Sequence, residues 1–266
     1  MNNTDKQTEF LYARLSDLRD GANSGIFRAS AFFTPHELVL VKRWISAQGC
    51  ASNARIYGGY EYAERARVYF LPDFMADDIS ENIGELVRAY GYDDPTVLLK
   101  ISGSGFRKLS HRDYMGTVLS LGIERDSVGD IVVGSDSEAY IFCDRKVSGY
   151  IISELKKIAR DAARVQEVSI PEGNFGERRY ELLRDTVASL RFDAVVASCT
   201  NMSRDAAKKT VVSGFCELNY EQITSPDFEV NAGDVFSIRG KGKFRLRSVD
   251  GENARGRLRI SVEKYI

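Results

Sequence analysis

Arg239, Lys241, Lys243, Arg245 and Arg247 take every second position of a run completed by Gly240, Gly242, Phe244, Leu246 and Ser248. After Val249-Asp250-Gly251-Glu252-Asn253 the alternation resumes, with Arg255, Arg257 and Arg259 against Leu258, Ile260 and Val262. Side chains of a strand point to opposite faces in turn, so this spacing predicts a hairpin with eight cations on one face and apolar residues on the other. Asp-Gly between two alternating runs marks its turn. Like charges side by side repel unless an anion spans them. The chemistry is therefore polyanion binding, with a solvated strand face as the ordinary alternative.

A second constellation lies just upstream. Ser203 stands as a helix N-cap before Arg204 and Asp205. Arg204 and Lys208, four apart, share one helix face, with Lys209 adjacent and Ala207 and Val211 turned inward. A helix start offers N–H groups and a positive dipole end to phosphate. Arg191, opening the preceding helix, adds a guanidinium able to grip phosphate bidentately. Asp193 reads as the internal partner that holds this arrangement, and surface salt bridging on a small helix pair is the alternative.

Several strings are similar to enzyme motifs and each is incomplete. His111-Arg112-Asp113 is similar to a kinase catalytic loop, but Val118 stands where that loop requires Asn. Gly103-x-Gly105 runs to Lys108 where a dinucleotide fingerprint needs a third Gly. Arg191-Phe192-Asp193 is similar to the catalytic aspartate string of pseudouridine synthases, without the Thr-x-Gly expected downstream. His111 reads instead as a hydrogen-bonding group at a helix start. No catalytic residue, cofactor or small-molecule substrate is expected. Cys50, Cys143, Cys199 and Cys216 are scattered and only two histidines occur, which argues against a metal site and fits a reducing compartment. With no apolar leader and no run long enough to span a bilayer, a cytoplasmic protein is expected.

These residues need elements to position them. The chain as a whole is not basic: 37 Lys and Arg stand against 38 Asp and Glu, a net charge of -1. At 266 residues and 43% hydrophobic it can bury two or three cores, and the reading is an α+β protein. Segment 1–95 is expected to be a mostly helical α/β domain. Its signals are a stripe of Phe10, Leu11, Arg14, Leu15 and Leu18, and Thr34-Pro35-His36-Glu37 opening a helix that buries Leu38, Val41 and Ile45 and ends near Gly49. A short strand at 55–57 and a helix through Glu61, Ala63, Glu64 and Ala66 follow.

Segment 96–170 reads strand (97–101), helix (110–121), strands (131–133 and 139–143), helix (148–160), strand (164–169). That is the ferredoxin-like order shared by RNA-recognition domains. Tyr140 and Phe142 fall on the face where such domains stack bases. The Lys/Arg-Gly that should precede them is absent, so an ordinary packed face is the preferred reading. A linker is expected at 171–183. Segment 184–266 holds two short helices and then strands, with 14 Lys and Arg against 11 Asp and Glu.

The motifs of that last segment make it specific. Arg191-Phe192-Asp193-Ala194-Val195-Val196, Ser203-Arg204-Asp205-Ala206-Ala207-Lys208, Val212-x-Gly214 with Leu218-Asn219, and Gly233-Asp234-Val235-Phe236-Ser237-Ile238 resemble, in order and spacing, the alpha-L RNA-binding domain named after small-subunit ribosomal protein S-four. One departure is the strand after Gly214, Phe215-Cys216-Glu217-Leu218, acidic where the family carries basic residues. Upstream, Gly58-Gly59-Tyr60-Glu61-x-Ala63-Glu64-Arg65, Leu109-Ser110-His111-Arg112-Asp113-Tyr114-Met115-Gly116, Leu121-Gly122-Ile123-x-Arg125 and Gly129-Asp130-Ile131 resemble the YlmH-type RNA-binding proteins of bacteria and photosynthetic organelles. The resemblance covers nearly the whole chain. It implies an N-terminal domain, a central RNA-recognition-like domain and a C-terminal RNA-binding domain. It further implies large ribosomal subunits, carrying obstructed peptidyl-tRNA, as the target in ribosome-associated quality control.

The expected function is therefore non-enzymatic binding of structured rRNA or tRNA, with the large ribosomal subunit as partner and no membrane. The candidate RNA-binding residues are Arg191, Ser203, Arg204, Lys208, Lys209, Arg239, Lys241, Lys243, Arg245, Arg247, Arg255, Arg257 and Arg259. Two alternatives stand beside it: an RNA-modifying enzyme to which the last domain delivers substrate, and a scaffold whose basic face meets an acidic protein at the ribosome or a photosynthetic membrane.

Overall fold

The computed structural model describes residues 3–78, 82–106, 108–134, 137–169 and 180–265. Its contacts divide the chain into two compact units, Met1–Gly176 and Glu177–Ile266, both of mixed α+β construction. Among the described residues no helix is long and apolar enough to cross a membrane.

The first unit begins with α1 (Asn3–Asn23), β1 (Arg28–Ala29), α2 (Pro35–Ala47), β2 (Ala54–Tyr57), β3 (Arg67–Phe70), α3 (Asp73–Ala76) and α4 (Ile83–Ala89). The Thr34 signal is a full capping box: its hydroxyl accepts from Glu37 N and its N–H donates to the Glu37 carboxylate. Leu11 and Leu15 of α1 pack on Leu38, Val41 and Ile45 of α2 and on Val68 and Phe70 of β3, whereas Phe10 of the expected stripe is exposed. Strand β3 is central in a three-stranded antiparallel sheet of order β1-β3-β2.

The helix expected through 61–66 does not form, and the segment is a run of turns. Its amides are claimed from elsewhere: the Asp130 carboxylate accepts from Glu64 N (2.6 Å), Arg65 N (3.0 Å) and the Tyr60 hydroxyl (2.8 Å). Arg65 is itself buried and donates to the carbonyls of Val128, Phe32 and Arg125.

Then come β4 (Thr96–Gly103), α5 (His111–Ser120), β5 (Val128–Val133), β6 (Glu138–Asp144), α6 (Arg145–Glu154), β7 (Lys157–Ile158) and β8 (Asp161–Val168). The sheet order β5-β6-β4-β8-β7, antiparallel throughout, is the expected ferredoxin-like arrangement with one small strand added. Helix α6 starts and stops earlier than 148–160. Asp144 caps it through Lys146 N, and Leu155 turns extended so that Ile158 can enter the core from β7.

One sheet face packs on α5 and α6 through Leu99, Ile101, Ile141 and Val165. The other is covered at Leu98 and Phe142 by Phe32 and Tyr60 from upstream, while Tyr140 on it stays half-buried. Tyr60 stacks on Phe142 at 5.1 Å between ring centroids, and a Cβ on Gly59 would lie 2.2 Å from the Phe142 ring. The packed-face reading of Tyr140 and Phe142 therefore holds for Phe142, which is fully buried.

The second unit contains β9 (Tyr180–Val187), α7 (Phe192–Thr200), α8 (Arg204–Val212), β10 (Cys216–Leu218), β11 (Glu221–Gln222), β12 (Val235–Ile238), β13 (Gly242–Glu252) and β14 (Leu258–Tyr265). Of the expected linker, 171–179 lies outside the described residues, and β9 already begins at Tyr180. The antiparallel sheet runs β11-β10-β12-β13-β14-β9. Phe192, Val195, Ala207 and Val211 of the helices pack on Phe236, Phe244, Leu246, Ile260 and Val262 of one sheet face.

The expected basic hairpin is rearranged in two places. Arg239, Gly240 and Lys241 form a turn between β12 and β13, where Gly240 has φ +74°. Asp250-Gly251 is not the later turn. The Asp250 carboxylate accepts from the Ser261 hydroxyl inside the sheet, while the Asn253 side chain accepts from Arg255 N and Arg257 N and turns the chain there. Between them a bulge at Arg247 moves the core-facing positions from Phe244 and Leu246 to Val249.

The packing around Phe142 has a measurable consequence. Phe142→Ala should destabilise the first unit by about 3–5 kcal/mol, as for a buried Phe. Gly59→Ala should also destabilise it, by about 1–3 kcal/mol, through overpacking. Urea unfolding of the two variants checks this, and wild-type stability in Phe142→Ala would show that the ring is free.

Candidate nucleic-acid interface

The site is built around one carboxylate. Arg191 is the N-cap residue of α7, and Asp193 lies in its first turn with a side chain only 4% exposed. Asp193 accepts from Arg191 through both oxygens, at 3.3 Å each, and from Arg204 Nη2 at 2.8 Å. Arg204 begins α8, so one acid ties two guanidiniums from two helices together. Their side chains remain 44% and 45% exposed. Each guanidinium has five N–H donors, and those not turned toward Asp193 are available to an anion.

Burial pushes the Asp193 carboxyl up, but the two guanidiniums outweigh it and hold the group below the usual carboxylate range. The α7 amides are already spent, with Phe192 N donating to Phe228 O and Asp193 N to Pro226 O. At α8 the Ser203 hydroxyl accepts from Ala206 N, as expected of an N-cap. Lys208 and Lys209 are exposed on that helix. Asp227 sits within the field of both Arg191 and Lys208; its own Ser225 hydrogen bond, then those cations, keep its carboxyl low. Sequence reasoning missed this acid, which is thirty-four positions beyond Asp193 and reaches the site through a loop.

The hairpin cations fall into three places. Arg239 and Lys241 occupy the β12–β13 turn, where Arg239 lies over the exposed Phe215 ring at 5.4 Å. Lys243, Arg245, Arg247 and Arg259 come from β13 and β14. Lys243 lies over Tyr220 (4.7 Å) and Tyr265 (5.2 Å), and Arg245 over Tyr180 (5.5 Å). Arg245 and Arg247 both pair with Glu263, whose side chain is 9% exposed. That acid faces Arg245 in the strand register, a pairing set by sheet topology and not by local spacing.

Arg255 and Arg257 belong to the β13–β14 turn. Arg257 reaches β9, donating to the carbonyl and hydroxyl of Thr186. Arg204 and Arg257 line a common cleft of about 490 Å³ with Thr186, Ser198 and Asn201. The structure thus brings a helix cation and a hairpin cation to one concavity. Glu217, the acidic departure, accepts from the Ser237 hydroxyl on β12.

The enzyme-like string in the first unit is a cap. Asp113 accepts from Ser110 N and its hydroxyl, and Ser110 accepts from Asp113 N, so the motif starts α5. Among the described residues no three His, Cys, Asp or Glu side chains are grouped to hold a metal ion.

Residues 94–172 match the family model described as a putative RNA-binding domain in YlmH. The ribosome-associated protein quality control protein P2 of Bacillus subtilis is 26% identical over 233 residues, covering 88% of this chain and 85% of that protein. The small ribosomal subunit protein uS4 of Saccharophagus degradans is 33% identical over 104 residues, 39% of this chain and 45% of its own. Among solved structures, cell division protein ylmH from Streptococcus pneumoniae matches over 64% of this chain and 93% of that one, at 22% identity and a TM-score of 0.46. The sequence comparisons bear out the resemblance to YlmH-type RNA-binding proteins with an S-four-like domain.

The Asp193 clamp makes stability depend on pH. Its folded pKa is depressed, so its contribution is complete above the ordinary aspartate value of about 3.9 and is lost as pH falls through the lower folded value. Asp193→Asn should lose about 1–3 kcal/mol near pH 7, the scale of hydrogen bonds to a charged group. The gap from wild type should close in acid. Urea titrations across pH check it; a constant gap would mean that the charge on Asp193 contributes nothing.

Proposed function

We propose that this chain is an RNA-binding protein of the translation machinery whose C-terminal unit grips the backbone of structured rRNA or tRNA. Its place of action on this reading is the large ribosomal subunit, in cytoplasmic ribosome-associated quality control. The observation that carries the reading is the pair of guanidiniums, Arg191 and Arg204, fixed on two helices by Asp193 and open to solvent on their outer edges. Such an arrangement loses little freedom when it meets phosphate, and Arg grips phosphate in a planar fork where Lys offers a point charge. The named relatives support the reading: one is a ribosome-associated quality control protein and one a ribosomal protein.

Recognition on this reading is of shape and phosphate position. The major groove of A-form RNA is too deep and narrow for side chains to read, and backbone contacts set register without reading sequence. Catalysis has no part in the proposal; the aspartate of the most enzyme-like string is occupied in capping α5.

Titrations of a ribosomal RNA fragment at two salt concentrations test it. Arg204→Ala should weaken binding by about 1–3 kcal/mol, the loss of a charge-assisted contact. Lys243→Ala should cost less, because that ammonium already lies between two tyrosines. Combined replacement of Arg255, Arg257 and Arg259 should flatten the slope of log affinity against log salt by about one to two units, since each phosphate contact contributes roughly 0.7–0.9 and Arg257 is engaged with Thr186. Equal affinity of wild type and the Arg204 variant, both folded, would sink the reading.

A further inference from the structure

Residues 94–172 match a putative RNA-binding domain, and in the first unit the usual contact surface of this topology is covered at Phe142. Phe142 is buried beneath Tyr60 and Phe32, and the opposite face is the helix-packed core. With Phe142 covered, the loops and ends of this domain offer contact surface apart from the usual one. The loop between β4 and α5 has the needed chemistry. Phe106 is 92% exposed, the most exposed large apolar side chain among the described residues. Arg107 and Lys108 follow it in the chain, and Lys108, His111 and Arg112 are exposed.

The loop is held at both ends. Ser104 donates through its N–H and its hydroxyl to Asp161, a buried carboxylate, and Gly103 N donates to Ser137 O. On the far side Leu109 is buried and Ser110 enters the α5 capping box. Gly105 takes φ +84° with nothing near its Cβ position, so the chain reverses there in open space. The neighbouring acids are occupied: Asp161 by Ser104, Asp113 by Ser110, and Glu138 by Lys100 at 2.6 Å. Lys108 and Arg112 therefore face solvent without acidic competition from these groups.

We infer that the β4–α5 loop is a second RNA site, which binds an unpaired segment by stacking a nucleobase on Phe106 while Lys108 and Arg112 hold the adjoining phosphates. A ring with no hydrogen-bonding group stacks on any base, so the site tolerates sequence and selects unpaired over paired RNA. The inference rests on the RNA-binding reading above and assigns the single-stranded contact to different residues from those that grip structured RNA.

The test uses the full chain and two RNAs: a blunt hairpin, and the same hairpin with a short unpaired adenosine tail containing one 2-aminopurine. Wild type should bind the tailed RNA more tightly and quench the 2-aminopurine. Phe106→Ala should lose roughly tenfold or more on the tailed RNA, the scale of one base–aromatic stack, and lose the quenching, with the blunt hairpin unaffected. Phe106→Trp should retain both, and paired replacement of Lys108 and Arg112 by Ala should flatten the salt slope for the tailed RNA alone. Because Phe106 is almost fully exposed, none of these outcomes depends on a folding defect. Wild-type binding of both RNAs by Phe106→Ala would overturn the inference and leave the C-terminal reading standing. Loss of ribosome co-sedimentation with both RNA affinities intact would also overturn it, by assigning Phe106 to a protein partner. A wild type that binds neither RNA would overturn both readings.

Discussion

The C-terminal unit depends on one carboxylate placed where two helix starts converge. Asp193 is nearly out of water, and an isolated buried charge is expensive unless it is paired and hydrogen-bonded. Arg191 and Arg204 supply that pairing, and each requires its helix to begin where it does. The loop carbonyls of Pro226 and Phe228 then take the α7 amides, which pins the approach to β12 against the helix pair. Helix order, loop path and guanidinium position follow together from neutralising one acid. The same need explains why these arginines are set before any ligand arrives, while Lys208 and Lys209 are left to solvent.

In the first unit the equivalent constraint is Asp130. By taking the amides of Glu64 and Arg65 and the hydroxyl of Tyr60, it draws the upstream chain across the ferredoxin-like sheet and lays Tyr60 over Phe142. Part of a surface that many RNA-recognition domains use for bases, at Leu98 and Phe142, becomes an internal packing face. Fold topology alone is a poor guide to the mode of binding here, because an identical strand order leaves open which face another segment covers.

What the sequence made legible was local and strongly signalled. Thr34 and Ser203 are caps as read, because the cap residue and the amide it serves lie within three positions. The ferredoxin-like order was legible because strands and helices alternate with clear turns. Strand β3 was not, because all four of its residues are buried and period-two alternation vanishes; Arg67 within it is neutralised by Asp144, far along the chain. The helix read into 61–66 failed for the same reason, since Asp130 competes for its amides from 66 residues beyond Glu64. The hairpin turn was misplaced because Asp250-Gly251 carries the right residue types, while Asn253 has a carbonyl already bonded to two amides.

The cations show where a periodic pattern stops being informative. Alternation in β13 correctly separates Phe244 and Leu246, in the core, from Lys243 and Arg245, outside it. It says nothing of the strand alongside, and that strand places Glu263 opposite Arg245 and within reach of Arg247. Two of the eight charges are thereby partly neutralised, Lys243 lies over tyrosine rings and Arg257 is bonded to Thr186. Mutual repulsion, the premise for an anion spanning the face, is thus reduced within the protein at Arg245 and Arg247, the two paired with an acid. The long-range attraction survives, because pairing with Glu263 leaves more cations than acids in the unit as a whole. On the proposed reading, the arginines held by acids, Arg191 and Arg204 foremost, are the positioned donors, and the exposed Lys241, Arg255 and Arg259 extend the positive field around them. That division rests on which acids the fold places beside which arginines, and neither charge count nor spacing contains it.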